Sequence, residues 1–74
     1  MNLNEVKPGN CVKVVSISAS GAMKRRMLDM GLIKGSELTV IKVAPLGDPM
    51  EVSLKGYNLT LRKEEARHIT VEGK

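Results

Sequence analysis

The order of residues 27–40 limits the fold of this chain more than any other stretch. It reads Met-Leu-Asp-Met, then Gly31, then a corner around Gly35, then an apolar run that begins at Leu38. A glycine is favoured directly after the last turn of a helix, where the backbone needs a positive φ. The stretch therefore predicts a helix that ends at Gly31, a tight corner and a strand. It carries no catalytic residue, which favours a binding module over an enzyme.

The length of the chain allows one domain, residues 1–74, with a thin core. A chain of this size buries only about 60% of its unfolded surface when it folds. The single cysteine, Cys11, excludes an internal disulfide bond. Cys11 and the one histidine, His68, are too few for the four ligands of a structural zinc site. We therefore expect no cofactor and no bound metal.

Turn signals divide the rest of the chain into short strands, and one helix follows the first strand. A bulge is expected at the Val14-Val15 pair and a hairpin turn at Lys55-Gly56. Five short strands favour a small barrel, whose closure removes exposed edges. The predicted strands are residues 11–18, 37–44, 50–54, 58–61 and 69–71, with a helix at 22–30 and a helical turn at 63–68.

The predicted helix has a methionine face. Met23, Met27 and Met30 are spaced i, i+4 and i+7, so they share one side of the helix. Methionine serves both as core filler and at adaptable binding surfaces. We favour the interpretation that the methionines are core residues, because a barrel needs apolar side chains to fill its open end. Ser20 is the expected N-cap, with its hydroxyl accepting a hydrogen bond from a free amide.

The opposite side of the same helix is the candidate partner-binding site. The helical angle places Leu28 nearly opposite the methionines, beside Lys24 and Arg25. If the methionines are buried, either Leu28 is exposed between positive charges or a neighbouring loop covers it. The run from Lys24 to Arg26 could bind an acidic surface, or it could simply be a solvated helix surface.

The residues that could carry out catalysis or bind a metal are few and scattered. Cys11 and His68 could form a nucleophile pair, but a small residue at a strand start and a histidine beside a helical turn are the simpler interpretation. Glu64 and Glu65 stand among basic residues, which is typical of a solvated face. Glu64 and His68 are four residues apart, and two ligands on one turn make a poor iron site. No catalytic or metal residue is expected.

The net charge and the short apolar runs of the chain indicate where the protein is located and which partners it can contact. The apolar runs are too short for the roughly 20 residues of a membrane span, and the N-terminus lacks the blocks of a signal peptide. We expect a cytoplasmic protein without membrane insertion. The formal charge of +4 permits contact with an acidic partner. Tyr57 is the only aromatic residue, which disfavours the stacking by which many modules bind single strands of nucleic acid.

Taken together, the motifs resemble the FeoA family, ferrous iron transport protein A. The matching pieces are residues 27–32, Lys34-Gly35, residues 45–50 and 56–62, then Glu65-Ala66 and Ile69. The resemblance implies a mainly β fold, a small SH3-like five-stranded barrel with a short helix inserted after the first strand. It also implies a cytoplasmic accessory protein of FeoB, a membrane ferrous iron transporter with a cytoplasmic G domain. It brings no catalytic or metal residue to this sequence.

Two functions follow as hypotheses. The first is binding and modulation of a FeoB-type transporter through protein contact, with Lys24, Arg25 and Leu28 at the surface. The alternative is an SH3-like nucleic-acid module that places basic residues on phosphates. Weak self-association through a bare sheet edge is a further expectation. The basic residues of the alternative are Lys24, Arg25, Arg26, Arg62 and Lys63.

Overall fold

Five strands and two short helices make up the computed structural model, which describes residues 1–73. Each strand and α1 match their predicted positions to within one or two residues. A 3-10 turn at Leu3–Glu5 was not predicted. The strands are β1 (Cys11–Ile17), β2 (Glu37–Val43), β3 (Met50–Leu54), β4 (Tyr57–Leu61) and β5 (Ile69–Gly73), and the helices are α1 (Gly21–Asp29) and α2 (Lys63–Ala66).

The strands form one antiparallel sheet in the order β4-β3-β2-β1-β5, with α1 inserted between β1 and β2. The register shifts between Val14 and Ser16 on β1, which confirms the predicted bulge at the two valines. The free side of β5 is covered by the N-terminal segment, since the Val71 amide donates to the Met1 carbonyl at 2.7 Å. All five strands contribute buried side chains to one hydrophobic core.

The methionine face of α1 closes this core. Met27 is fully buried, and Met23 and Met30 pack against the core from partly buried positions. This confirms the core interpretation of the methionines. Burial of one such side chain contributes about 1.5–3 kcal/mol. The other large side chains that are fully buried are Leu3, Leu32, Leu38, Leu54, Leu61 and Ile69.

The end of α1 follows the predicted geometry. Gly31 has φ of +89°, and its amide donates to the Leu28 carbonyl at 2.9 Å. The Leu32 amide donates to the Met27 carbonyl at 2.9 Å. These two bonds are the Schellman ending. They turn the chain back on itself, so that Leu32 enters the core next to Met27.

The start of α1 differs in one respect from the prediction. Ser20 occupies the N-cap position, but its side chain makes no cap hydrogen bond. The next residue, Gly21, begins the helix with φ of +63°, which departs from the backbone geometry that a hydroxyl cap needs. The predicted Ser20 cap bond is therefore wrong, and α1 depends on its packed face and its C-terminal ending.

The β3–β4 hairpin turns at Lys55-Gly56, as predicted. Leu54 pairs with Tyr57, and the two turn residues have φ of 50° and 86°. Positive φ at both positions is the type I′ turn, which matches the twist of the strands beside it. Asn and Gly are the residues favoured at the first position, so a lysine there is unusual. The hairpin presents Lys55 at one end of the sheet, beside the end of α1.

Candidate functional site

The residues predicted to bind a partner lie on the open side of α1. Lys24 and Arg25 are exposed, and Leu28 keeps 49% of its surface accessible. No loop covers Leu28. Of the two possibilities that the helical angle left open, the structure therefore shows the first, an exposed Leu28. We call Lys24, Arg25 and Leu28 the helix patch. Its use in binding remains a prediction.

The third basic residue of the run, Arg26, forms an ion pair and is not part of the helix patch. The Arg26 Nη1 atom lies 2.9 Å from Oε2 of Glu65, and Glu65 is only 4% exposed. The other oxygen, Oε1, accepts from the Arg62 amide at 2.9 Å. The prediction of a solvated face is therefore wrong for Glu65, although Glu64 is exposed. Burial is tolerated because both carboxylate oxygens have partners, and the pair joins α1 to α2.

A buried serine fixes the corner that follows α1. The Ser36 Oγ accepts from the Ile33 amide at 3.0 Å and donates to the Gly31 carbonyl at 3.3 Å. Ser36 itself is buried, whereas Ile33 is 49% exposed. The half-exposed side chain of Ile33 is thus carried by a backbone segment that the Ser36 hydroxyl holds in place.

The only aromatic residue lies against the same corner. The Tyr57 hydroxyl donates to the Met30 carbonyl at 2.8 Å, at the C-terminal end of α1. A methyl group at Gly31 would stand 3.0 Å from that hydroxyl oxygen. Tyr57 nevertheless keeps 45% of its surface accessible. Its ring is therefore both anchored and open to a partner.

Two lysines complete this part of the surface. One surface hollow is lined by Ile33, Lys34 and Lys55, and Glu37 is the carboxylate in its lining. We call Ile33, Lys34, Lys55 and Tyr57 the corner patch. The sequence analysis did not find it, because its members come from two segments that only the fold brings together. The one sequence signal was a lone aromatic residue directly after a hairpin turn.

The corner patch is linked to the helix patch through the end of α1. The Gly31 amide bonds to Leu28, and the Met30 carbonyl bonds to Tyr57. Leu28, Ile33 and Tyr57 are among the most exposed large apolar side chains of residues 1–73. Exposed apolar groups rimmed by charge are typical of protein-binding surfaces.

The candidate catalytic and metal residues do not converge. Cys11 is at the start of β1, whereas the His68 carbonyl bonds to Ser18 beyond the other end of that strand. Six residues of strand separate these positions by about 20 Å. His68 Nε2 lies 3.9 Å from Oε1 of Glu64. No group of three His, Cys, Asp or Glu side chains within residues 1–73 could hold a metal ion.

The basic residues of the nucleic-acid alternative are interrupted by carboxylates. Arg26 is paired with Glu65, and the Lys63 amide donates to Oδ1 of Asp48 at 3.0 Å. Arg62 and Lys63 also stand directly before Glu64. This arrangement does not form a continuous positive groove of the kind that follows a phosphate backbone.

Comparison with known proteins identifies the family. The FeoA domain matches residues 1–73. The chain is a member of the FeoA family. A relative from Porphyromonas gingivalis, a fusion of Fe(2+) transport protein A with the Fe(2+) transporter FeoB, is 38% identical over 97% of this chain. The chain spans only 8% of the length of that fusion protein.

Solved structures of FeoA proteins share the fold. The FeoA protein of Chlorobium tepidum is 46% identical, with a TM-score of 0.90 over 99% of this chain and 70% of its own. The Stenotrophomonas maltophilia FeoA, described as a procaryotic SH3 domain protein complexed with zinc, is 29% identical. Its TM-score is 0.84 over 97% of this chain and 89% of its own. The predicted SH3-like fold class is thereby confirmed.

The family is linked to Fe(2+) transport and is not a known family of enzymes. Transport requires a membrane protein somewhere in the system. Among residues 1–73 of this FeoA-family chain, however, no helix has the length and apolar character needed to cross a membrane.

Proposed function

We propose that this chain is a cytoplasmic accessory protein that docks on the cytoplasmic part of a FeoB-type ferrous iron transporter and modulates it. The observation that carries the proposal is the relative in which the two proteins are one polypeptide. Fusion keeps two partners at high effective concentration, so it favours pairs that gain from being close. The proposal extends that association to this separate chain.

The helix patch is the proposed contact. Leu28 would bury apolar area at the centre, while Lys24 and Arg25 steer the approach of an acidic surface. Cations at the rim of an interface chiefly raise the association rate, and the effect weakens with salt. Arg26 is excluded from this role, because its guanidinium is paired with Glu65.

The test is binding of this chain to the purified cytoplasmic part of the transporter from the same cell, by calorimetry at low salt. We expect the Lys24→Glu/Arg25→Glu double variant to bind at least tenfold more weakly, a loss of about 1.4 kcal/mol or more. Leu28→Ser should weaken binding as well. Lys7→Glu is the control, since it reverses one exposed charge on the segment before β1, whereas α1 follows the other end of that strand.

Ferrous uptake in cells carrying the double variant should change together with the loss of binding. Unchanged binding and uptake would exclude the helix patch, whereas no binding by the unaltered chain would exclude the proposed function itself.

Two competing functions are separated by titrations of the unaltered chain. A nucleic-acid module would bind short RNA or DNA at low salt, with affinity that falls steeply as salt rises. An iron carrier would bind Fe²⁺ stoichiometrically under anaerobic conditions in the micromolar range. We expect neither titration to give saturable binding, and a clear result in either one would replace the proposed function.

A further inference from the structure

We infer that the corner patch is a second docking area for the same partner, and that it accepts an apolar side chain flanked by carboxylates. This inference rests on the proposed function. It adds Ile33, Lys34, Lys55 and Tyr57 to the contact surface and specifies the chemistry of the segment that they bind.

The first argument is that the patch is held in place before any partner arrives. Ser36 fixes the backbone at Ile33, and the Met30 carbonyl fixes the hydroxyl of Tyr57. Both side chains still expose nearly half of their surface. Binding to groups that are already ordered avoids much of the entropy loss of association, and tyrosine is enriched among the residues that dominate interface energies.

The second argument is the backbone of Lys55. It is the one non-glycine residue with a positive φ in residues 1–73, at the first position of a type I′ turn. Asparagine or glycine fits that position with less strain than lysine. A strained residue at a surface position is a reason to look for function there. Here the turn makes Lys55 part of the lining of the hollow that Ile33 also lines.

The third argument is charge. Lys34 and Lys55 outnumber the single carboxylate of Glu37 in the lining of the hollow. The adjacent helix α1 adds Lys24 and Arg25 and one exposed carboxylate, Asp29. Such a surface repels a second copy of itself, which makes a self-contact here unfavourable. It attracts a segment that carries Asp or Glu beside its apolar residue.

The shape favours a protein segment over a lipid surface. A membrane-binding surface inserts protruding apolar side chains into the headgroup region. Ile33 instead lines a hollow whose other lining side chains include two lysines. A hollow of this kind receives a side chain, so the occupant to which we commit is an acidic protein segment of the transporter's cytoplasmic part.

The experiment measures the dissociation constant for that purified cytoplasmic part, with variants that leave the helix patch intact. Ile33→Ser should weaken binding about fivefold to twentyfold. Lys55→Asn should weaken it severalfold and reduce its salt dependence, while raising the midpoint of urea unfolding because the turn strain is relieved. Opposite changes in affinity and stability would not arise from simple damage to the fold.

The matched control is Leu46→Ser. Leu46 is 92% exposed in the β2–β3 loop, and the change removes the same kind of side chain as Ile33→Ser at a site outside both patches. It should bind like the unaltered chain. Each variant is first checked for native structure by its NMR amide spectrum.

The outcomes separate the two claims. If Ile33→Ser and Lys55→Asn bind within twofold of the unaltered chain while the helix-patch variants lose affinity, the corner patch is not a docking area and the proposed function stands. If the unaltered chain does not bind the transporter part, both fall. Co-sedimentation with phosphatidylglycerol vesicles that Ile33→Ser abolishes, without any effect on transporter binding, would assign the patch to the membrane and overturn the inference.

Discussion

Gly31 is subject to two separate constraints. Its φ of +89° is a conformation that residues with a side chain adopt only with strain, and the Tyr57 hydroxyl leaves almost no room for a methyl group. The first constraint acts on the backbone and the second on packing. Their sizes can be separated, because another glycine of the chain has the first constraint alone.

We predict that Gly31→Ala lowers the free energy of unfolding by more than Gly9→Ala. Gly9 has a similar φ of +92° but no atom within 4 Å of the added methyl group. The backbone cost is about 1–3 kcal/mol at each site, and crowding by Tyr57 adds to it at Gly31. Urea unfolding of the two variants checks the difference, and equal losses would remove the packing constraint from the explanation.

Tyr57→Phe completes a double-mutant cycle with Gly31→Ala. By itself, Tyr57→Phe should cost about 1 kcal/mol or less, since it removes one partly exposed hydrogen bond to Met30. In the double variant the contact at 3.0 Å is gone. The combined loss should therefore be smaller than the sum of the two single losses. Additive losses would mean that the tyrosine moves aside without cost.

At the scale of elements, the ion pair of Arg26 and Glu65 connects α1 to α2. It is a non-covalent connection between a helix of nine residues and a helix of four residues. A four-residue helix has little intrinsic stability, so it depends on contacts of this kind. The same pair also distinguishes the two adjacent arginines of α1, since Arg26 is paired with Glu65 and Arg25 is exposed.

We predict that Arg26→Ala destabilises the fold by about 1–2 kcal/mol, because it leaves a buried carboxylate without its cation. The figure is below that for a fully buried pair, since the Arg26 side chain is 54% exposed and partly screened by water. Arg25→Ala, the control in the same helix, should change the unfolding midpoint little. Equal effects of the two changes would show that Glu65 finds another partner.

The sequence predicts the elements well because their signals are local. Gly31 ends a helix through its own backbone, and the Lys55-Gly56 turn fixes the register of its hairpin. The position of Leu28 opposite the methionines follows from helix geometry, whereas its exposure was decided only by the structure. These features require only neighbouring residues, so they can be read from the order of the chain.

The features that were missed depend on contacts between distant segments. The turn at Leu3–Glu5 has only three residues, and Leu3 becomes fully buried through the rest of the fold. Glu65 is buried because an arginine of α1 reaches it. The corner patch joins the end of α1 to the β3–β4 hairpin. No pattern of neighbouring residues in the sequence indicates these contacts.

For the whole molecule, the relevant quantity is the net charge of +4 on 74 residues. A chain of this size with such a surplus attracts acidic partners over a distance comparable to the Debye length, about 10 Å at 0.1 M salt. The helix patch and the corner patch together contain four cationic side chains, Lys24, Arg25, Lys34 and Lys55. Association with the transporter part should therefore have a strong electrostatic component.

We predict that raising the salt concentration from 50 to 300 mM increases the dissociation constant several-fold, mainly through a slower association rate. Surface plasmon resonance on the immobilised transporter part separates the two rates. Unfolding midpoints at the two salt concentrations show whether the fold itself responds. An association rate that does not change with salt would assign the contact to a neutral surface elsewhere on the molecule.

The position of β1 between β2 and β5 has a consequence for the synthesis of the chain. The ladder with β5 joins segments from nearly opposite ends of the sequence, so it cannot form until almost the entire domain has left the ribosome. Pairing across such a long separation slows folding. The nascent polypeptide would meanwhile expose the apolar side of β1 without this partner, so the native sheet is completed only after β5 has been synthesised.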